Sequence, residues 1–175
     1  MTRVTLAILL LATSAPLAWA AEPQGQDRAF LDKAMHDGVA EVELGKLATR
    51  QAESDAVKRF GQRMVDDHQK ANQTLMDVAR QQGSKEASAD RDMPKLEPAD
   101  EKRLHALEGL KGRKFDEAYM RDMIRDHEKA VALFRREAKE GKDEQLRKTA
   151  ESVLPTLEEH LKMAREVGSQ VGVKG

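Results

Sequence analysis

Three histidines recur in similar surroundings: His68 in "RMVDDHQKAN" (Arg63–Asn72), His127 in "DMIRDHEKAV" (Asp122–Val131) and His160 in "TLEEHLKMA" (Thr156–Ala164). Each follows an acidic residue and has an apolar residue three positions earlier. Imidazole can ligate zinc, copper or nickel, and it can also carry a proton near neutral pH. Methionines stand four residues before two of them, Met64 and Met123, one helical turn away on the same face. Thioethers there move a nitrogen site towards Cu(I), although methionine is also ordinary core filler. The candidate metal ligands are therefore His68, His127 and His160, with Glu41 as a further ligand and Met64 and Met123 as secondary ones. The metal such a set would take is copper or zinc, and no other cofactor is indicated.

The carboxylates beside these histidines suit other chemistry poorly. A di-iron carboxylate centre needs Glu-x-x-His, since residues three apart share a helical face. Here the positions three before the histidines are Val65, Ile124 and Leu157. The acids directly before the histidines lie about 100° round the helix, so Asp66 and Asp67 are expected at the flank or in solvent. Asp67, Asp126 and Glu159 are expected to pair with Lys70, Lys129 and Lys162. Nucleophilic catalysis lacks support: the chain has no cysteine, its serines fall outside the histidine stripes, and no phosphate loop follows a strand. No catalytic residue is assigned.

Long helices must position these groups. Apolar residues recur at steps of three and four in four segments, predicting helices over Asp27–Ala52, Ser54–Gln82, Phe115–Glu140 and Asp143–Val167. His68 lies within the stripe Val57, Phe60, Met64, Ala71, Leu75; His127 within Phe115, Tyr119, Met123, Ala130, Phe134; His160 within Val153, Leu157, Ala164. The first helix has a narrow stripe of Ala34, Gly38, Glu41, Gly45 and Ala48, in which Glu41 is the one charged group. A carboxylate there needs a partner or a proton, and the core histidines are the expected partners, with Tyr119 adjoining. His36 and His105 are expected outside the core.

Asp27 is expected to N-cap the first helix. Pro94 and Pro98 make residues 83–114 a connector, within which Ala99–Leu110 reads as a short helix covering one edge through Leu104, Leu107 and Leu110. Pro155 is expected to kink the last helix. The fold class is all-α, a ferritin-like four-helix bundle with a long crossover between the second and third long helices.

At the N-terminus, Arg3, the apolar run Leu6–Ala12 and Ala18-Trp19-Ala20 make residues 1–20 a cleavable signal peptide. Residues 21–170 are then a single domain and 171–175 a loose tail. A periplasmic or secreted location follows, with neither a lipid-anchor cysteine nor a transmembrane segment after cleavage. A formal net charge of −1, with 35% charged and 3% aromatic residues, argues against nucleic acid as a partner and fits helices with solvated charged faces. Protein partners and oligomeric state stay open.

The segments "EVELGKLA" (Glu41–Ala48), "FGQRMVDDHQKAN" (Phe60–Asn72), "GRKFDEAYMRDMIRDHEKAVALF" (Gly112–Phe134) and "LPTLEEHL" (Leu154–Leu161) resemble domain-of-unknown-function family 4142. The resemblance implies a ferritin-like fold and export from a bacterial cytoplasm; it brings no activity to these residues. Two functional readings stand side by side. In the first, the chain is a non-enzymatic envelope or stress-related module whose histidines form a buried hydrogen-bonded network with Glu41. The alternative is a periplasmic copper- or zinc-binding protein using the three-histidine set.

Overall fold

A computed structural model describes residues 25–81 and 93–173. The expected signal segment and most of the first part of the connector lie outside the described residues. Within them the chain is all-helical: α1 (Gln26–Gln51), α2 (Asp55–Gln81), α3 (Pro98–Glu108), α4 (Gly112–Glu140) and α5 (Glu144–Val171), with no strand. None of these helices is long and apolar enough to cross a membrane.

The apolar stripes explain the packing. Consecutive long helices form two antiparallel hairpins, α1–α2 and α4–α5; α2 then lies against α5 and α1 against α4. Small residues draw α1 and α2 together: a Cβ on Gly45 would stand 2.7 Å from the Gly61 carbonyl oxygen, and one on Gly61 2.8 Å from Ala48 Cβ. The core has two apolar clusters. One is built around Phe60, Met64, Phe115, Tyr119 and Met123, the other around Phe30, Leu75, Phe134, Leu146 and Leu157. α3 crosses α1 and α4, burying Leu107 and part of Leu104 and Leu110. The Gln51 amide holds the end of α3, donating to the carbonyls of Leu107 (2.9 Å), which also accepts from Leu110 N, and Leu110 (2.6 Å).

Asp27 does not cap its own helix, whose N-cap is Gly25. Its buried carboxylate accepts from the backbone N–H groups of Lys142 (3.0 Å) and Asp143 (2.7 Å), so it holds the turn between α4 and α5. Asp116, in the first turns of α4, does the same for the other hairpin, accepting from Glu53 N (3.1 Å) and Ser54 N (2.8 Å). Each hairpin turn is thus held by a carboxylate from the opposite hairpin. A one-dimensional reading assigns such an acid to its nearest helix start, and here the partner is over 60 residues away.

The C-terminus also differs from expectation. α5 continues through Pro155 and on to Val171, and Gly172 follows at φ 96°. The N–H of Val173 reaches the carbonyl of Gly168 (2.9 Å) and that of Gly172 reaches Ser169 (3.3 Å), while the Val173 side chain is buried. This is a Schellman closure with its apolar contact. Residues 171–173 are therefore fixed to the core rather than loose, because Gly172 takes the left-handed turn and Val173 covers the end of α5.

A candidate metal centre between three helices

α2, α4 and α5 each turn one histidine inward. His68, His127 and His160 are 8%, 1% and 1% exposed. Their ring centroids are separated by 5.6 Å (His68–His127), 5.5 Å (His68–His160) and 5.4 Å (His127–His160). One ring nitrogen from each lies within 4.8 Å of the other two. The reason is visible in the stripes: each histidine lies on the buried stripe of its helix, and the three stripes face one core.

The outer nitrogens of two rings are engaged, and this fixes the inner ones. His127 Nδ1 is 2.9 Å from the carbonyl oxygen of Met123. A carbonyl only accepts, so Nδ1 carries the proton and Nε2 of the neutral ring keeps its lone pair. His160 Nε2 is 3.0 Å from Asp67 Oδ2, which leaves the lone pair on Nδ1 by the same argument. The buried atoms without a protein partner include His68 Nε2, His127 Nε2 and His160 Nδ1. Ligating histidines show this pattern, with the far nitrogen bonded to a carbonyl or carboxylate that sets tautomer and orientation.

Burial disfavours the charged form of all three rings. His68 is held well below the ordinary 6.5 by desolvation and by its two histidine neighbours. His127 falls to about 4, chiefly through desolvation. His160 is also lowered by desolvation, against the opposing pull of Asp67. The rings are therefore neutral at neutral pH, the state in which imidazole ligates. In a tetrahedral nitrogen site with bonds of about 2.0 Å, the nitrogens stand about 3.3 Å apart.

Asp67 was expected at the flank, with Lys70 as its partner. Lys70 does approach, at 3.9 Å, but it is largely exposed. The stronger partners of Asp67 are Arg63 and, across the interface, His160. Burial works against its ionised form, but the hydrogen bonds from His160 and Arg63 outweigh it and hold the carboxyl below its usual range. The position 100° from the buried face of α2 meets α5, a contact that only the packing reveals. Asp126 pairs with Arg103 of α3 and with Arg125, and Glu159 approaches Arg63 at 3.7 Å.

Glu41 is buried, at 5% exposure, and its Oε2 has no protein hydrogen-bond partner. It does not belong to the convergent nitrogen set. Its carboxyl is pushed up to about 8 by desolvation, then by Asp126, with Arg103 opposing. Tyr119 Oη is likewise buried without a partner. Among the described residues no direct hydrogen bond joins Glu41 or Tyr119 to the histidines. Met64 and Met123 are fully buried in the cluster around Phe60. His36 is partly exposed, 3.8 Å from Glu97, and His105 is exposed beside Glu108.

The family model described as "Domain of unknown function (DUF4142)" matches residues 12–167. The chain belongs to the DUF4142 family. No curated protein matches this DUF4142 chain in sequence. Solved structures similar to it include CopM in the Cu(I)-bound form, with a TM-score of 0.67 and 17% identity over 84% of this chain and 98% of that one. CopM in an Ag-bound form obtained by co-crystallization gives 0.65 and 16%, over 82% and 96%. A DUF305 fragment from Deinococcus radiodurans gives 0.69 and 13%, over 85% and 99%. At these identities the likeness is one of fold.

Proposed function

We propose that this DUF4142 protein is a non-enzymatic metal-binding protein of the cell envelope that holds one copper ion, or zinc in its place, at His68, His127 and His160. The observation that carries the reading is the set of three buried ring nitrogens without protein partners, drawn from three helices, two of them with the lone pair directed by a carbonyl and a carboxylate. Leaving such atoms unpaired in a core costs about 1–3 kcal/mol each, and one ion would satisfy all three. Neutral imidazoles accept such an ion without first losing a proton.

The structures of CopM with Cu(I) and Ag, on a similar fold, support copper as the first choice. Met64 and Met123, buried one turn from their histidines, are compatible with a soft ion. The convergent set contains no carboxylate, which disfavours the oxygen-bridged di-iron chemistry associated with ferritin-like bundles. In this reading the mature protein begins near Ala21 as one ferritin-like domain, exported by the signal segment at residues 1–20.

The test is a titration of the metal-free mature chain with Cu(I), Ag(I) and Zn(II), followed by elemental analysis. One ion per chain is expected, with binding lost in His127→Ala and in His160→Ala. Absence of stoichiometric binding, or binding that survives both substitutions, overturns the proposal.

A further inference from the structure

A cavity of about 340 Å³ opens between α1, α3 and α4 and runs inward to His68 and His127. Its floor is apolar, with Ala34, Leu75, Phe134 and Leu157, and the first turn of α3 crosses its mouth with Glu97, Ala99 and Asp100. On the opposite side, Asp67 and Arg63 cover His160. Among the described residues the cavity is thus an approach to His68 and His127.

Most charges along it are paired. Lys33 meets Asp37 at 2.9 Å, Arg103 meets Asp100 at 3.0 Å and also Asp126, and Arg125 meets Asp126 at 3.3 Å. Two buried oxygens are not. Glu41 Oε2 has no protein partner, and neither has Asn72 Oδ1. The Asn72 amide lodges against the backbone of Gly38, where a Cβ would stand 1.9 Å from Oδ1, and Gly38 lies one turn before Glu41 on the same face of α1. Two unpaired oxygen acceptors thus line the route to three unpaired nitrogens. A hydrated cation is suited to oxygen ligands before it exchanges water for imidazole.

We propose that this cavity is a cation antechamber to the histidine site, with Glu41 as the carboxylate that holds the ion on its way in and the first turn of α3 as the rim that sets access. The inference rests on the metal reading above and assigns Glu41 a role in passage, since its carboxylate stands outside the convergent nitrogen set.

Stopped-flow mixing of the metal-free mature chain with Cu(II), and release of bound Cu(II) to excess chelator, separate the two proposals. Ala99 is exposed at the mouth, so Ala99→Trp obstructs the cavity without loading the core. It should slow uptake and release by the same factor, on the order of tenfold, because a barrier at the rim does not alter the bound state. Glu41→Gln should slow uptake about tenfold, because an amide cannot give up a proton to become a charged oxygen ligand for the arriving ion, with a smaller effect on release. Wild-type protein that takes up one Cu(II) at rates unchanged in both variants overturns the antechamber and leaves the histidine site standing. Faster release with unchanged uptake in Glu41→Gln makes Glu41 a ligand of the final site and overturns its role in passage. Wild-type protein that binds neither Cu(II) nor any of Cu(I), Ag(I) and Zn(II) overturns both.

Discussion

Glu41 supplies the sharpest energetic test of the core. Its folded pKa is about 8, against 4.5 for the ordinary group, because desolvation penalises the carboxylate and Asp126 adds to the effect. A raised folded pKa means that the native state holds the proton more tightly than the unfolded chain does. The stabilisation from this group is fully present below the unfolded value and is lost as pH rises, until the folded group ionises too. Between about pH 5.5 and about pH 8 the linkage removes about 3 kcal/mol from the stability of the metal-free protein. Glu41→Gln keeps the shape and cannot ionise, so it should lack this loss. Histidine contributions over the same interval are common to both proteins and cancel in the comparison. Urea denaturation at the two pH values reads the difference directly: the wild-type midpoint should fall relative to the variant by about 1–2 M. Parallel pH dependences would refute the reasoning and mean that Arg103 keeps Glu41 ionised throughout.

Three other outcomes follow from the geometry. Asp67→Asn, which replaces the carboxylate bonded to His160, should weaken copper binding about 10–100-fold while the three ligands remain, as measured by competition with a chromophoric chelator. Gly38→Ala drives a methyl group into Asn72 and should cost about 1–3 kcal/mol; adding Asn72→Ala should restore most of that stability, and a purely additive double variant would exclude the contact as the cause. Asp116→Ala removes the acceptor for Glu53 N and Ser54 N and should lower stability by about 1–2 kcal/mol in thermal denaturation, with Asp27→Ala doing the same at the other turn.

The helices and the inward placement of His68, His127 and His160 were legible because steps of three and four report a helix's buried face whatever packs against it. Glu41 was legible for the same reason, as the one charge in a stripe of small residues. The groups that could not be read act across the packing. Sequence spacing measures neighbours along one helix and so points Asp67 to Lys70, whereas its partner His160 sits on α5. Asp27 has the sequence position of an ordinary cap but serves a distant turn. Glycines near the end of α5 suggest a loose tail, yet one of them provides the left-handed turn that buries Val173. Local periodicity thus gave the faces of the elements, and the contacts between faces required three dimensions.

The exchanged clasps of Asp27 and Asp116 divide the molecule into two reciprocal halves. His68 belongs to one half, while His127 and His160 belong to the other. Neither hairpin alone contains the triad, yet the two need no covalent continuity at the point where their faces meet. If two copies of the chain traded hairpins, each would recover both carboxylate clasps and a full set of three histidines. A heterodimer of one chain bearing His68→Ala and another bearing His127→Ala would then contain one intact triad and one doubly broken one. Complementation between two inactive variants is thus a property this topology permits, and a three-histidine site confined to one hairpin would not.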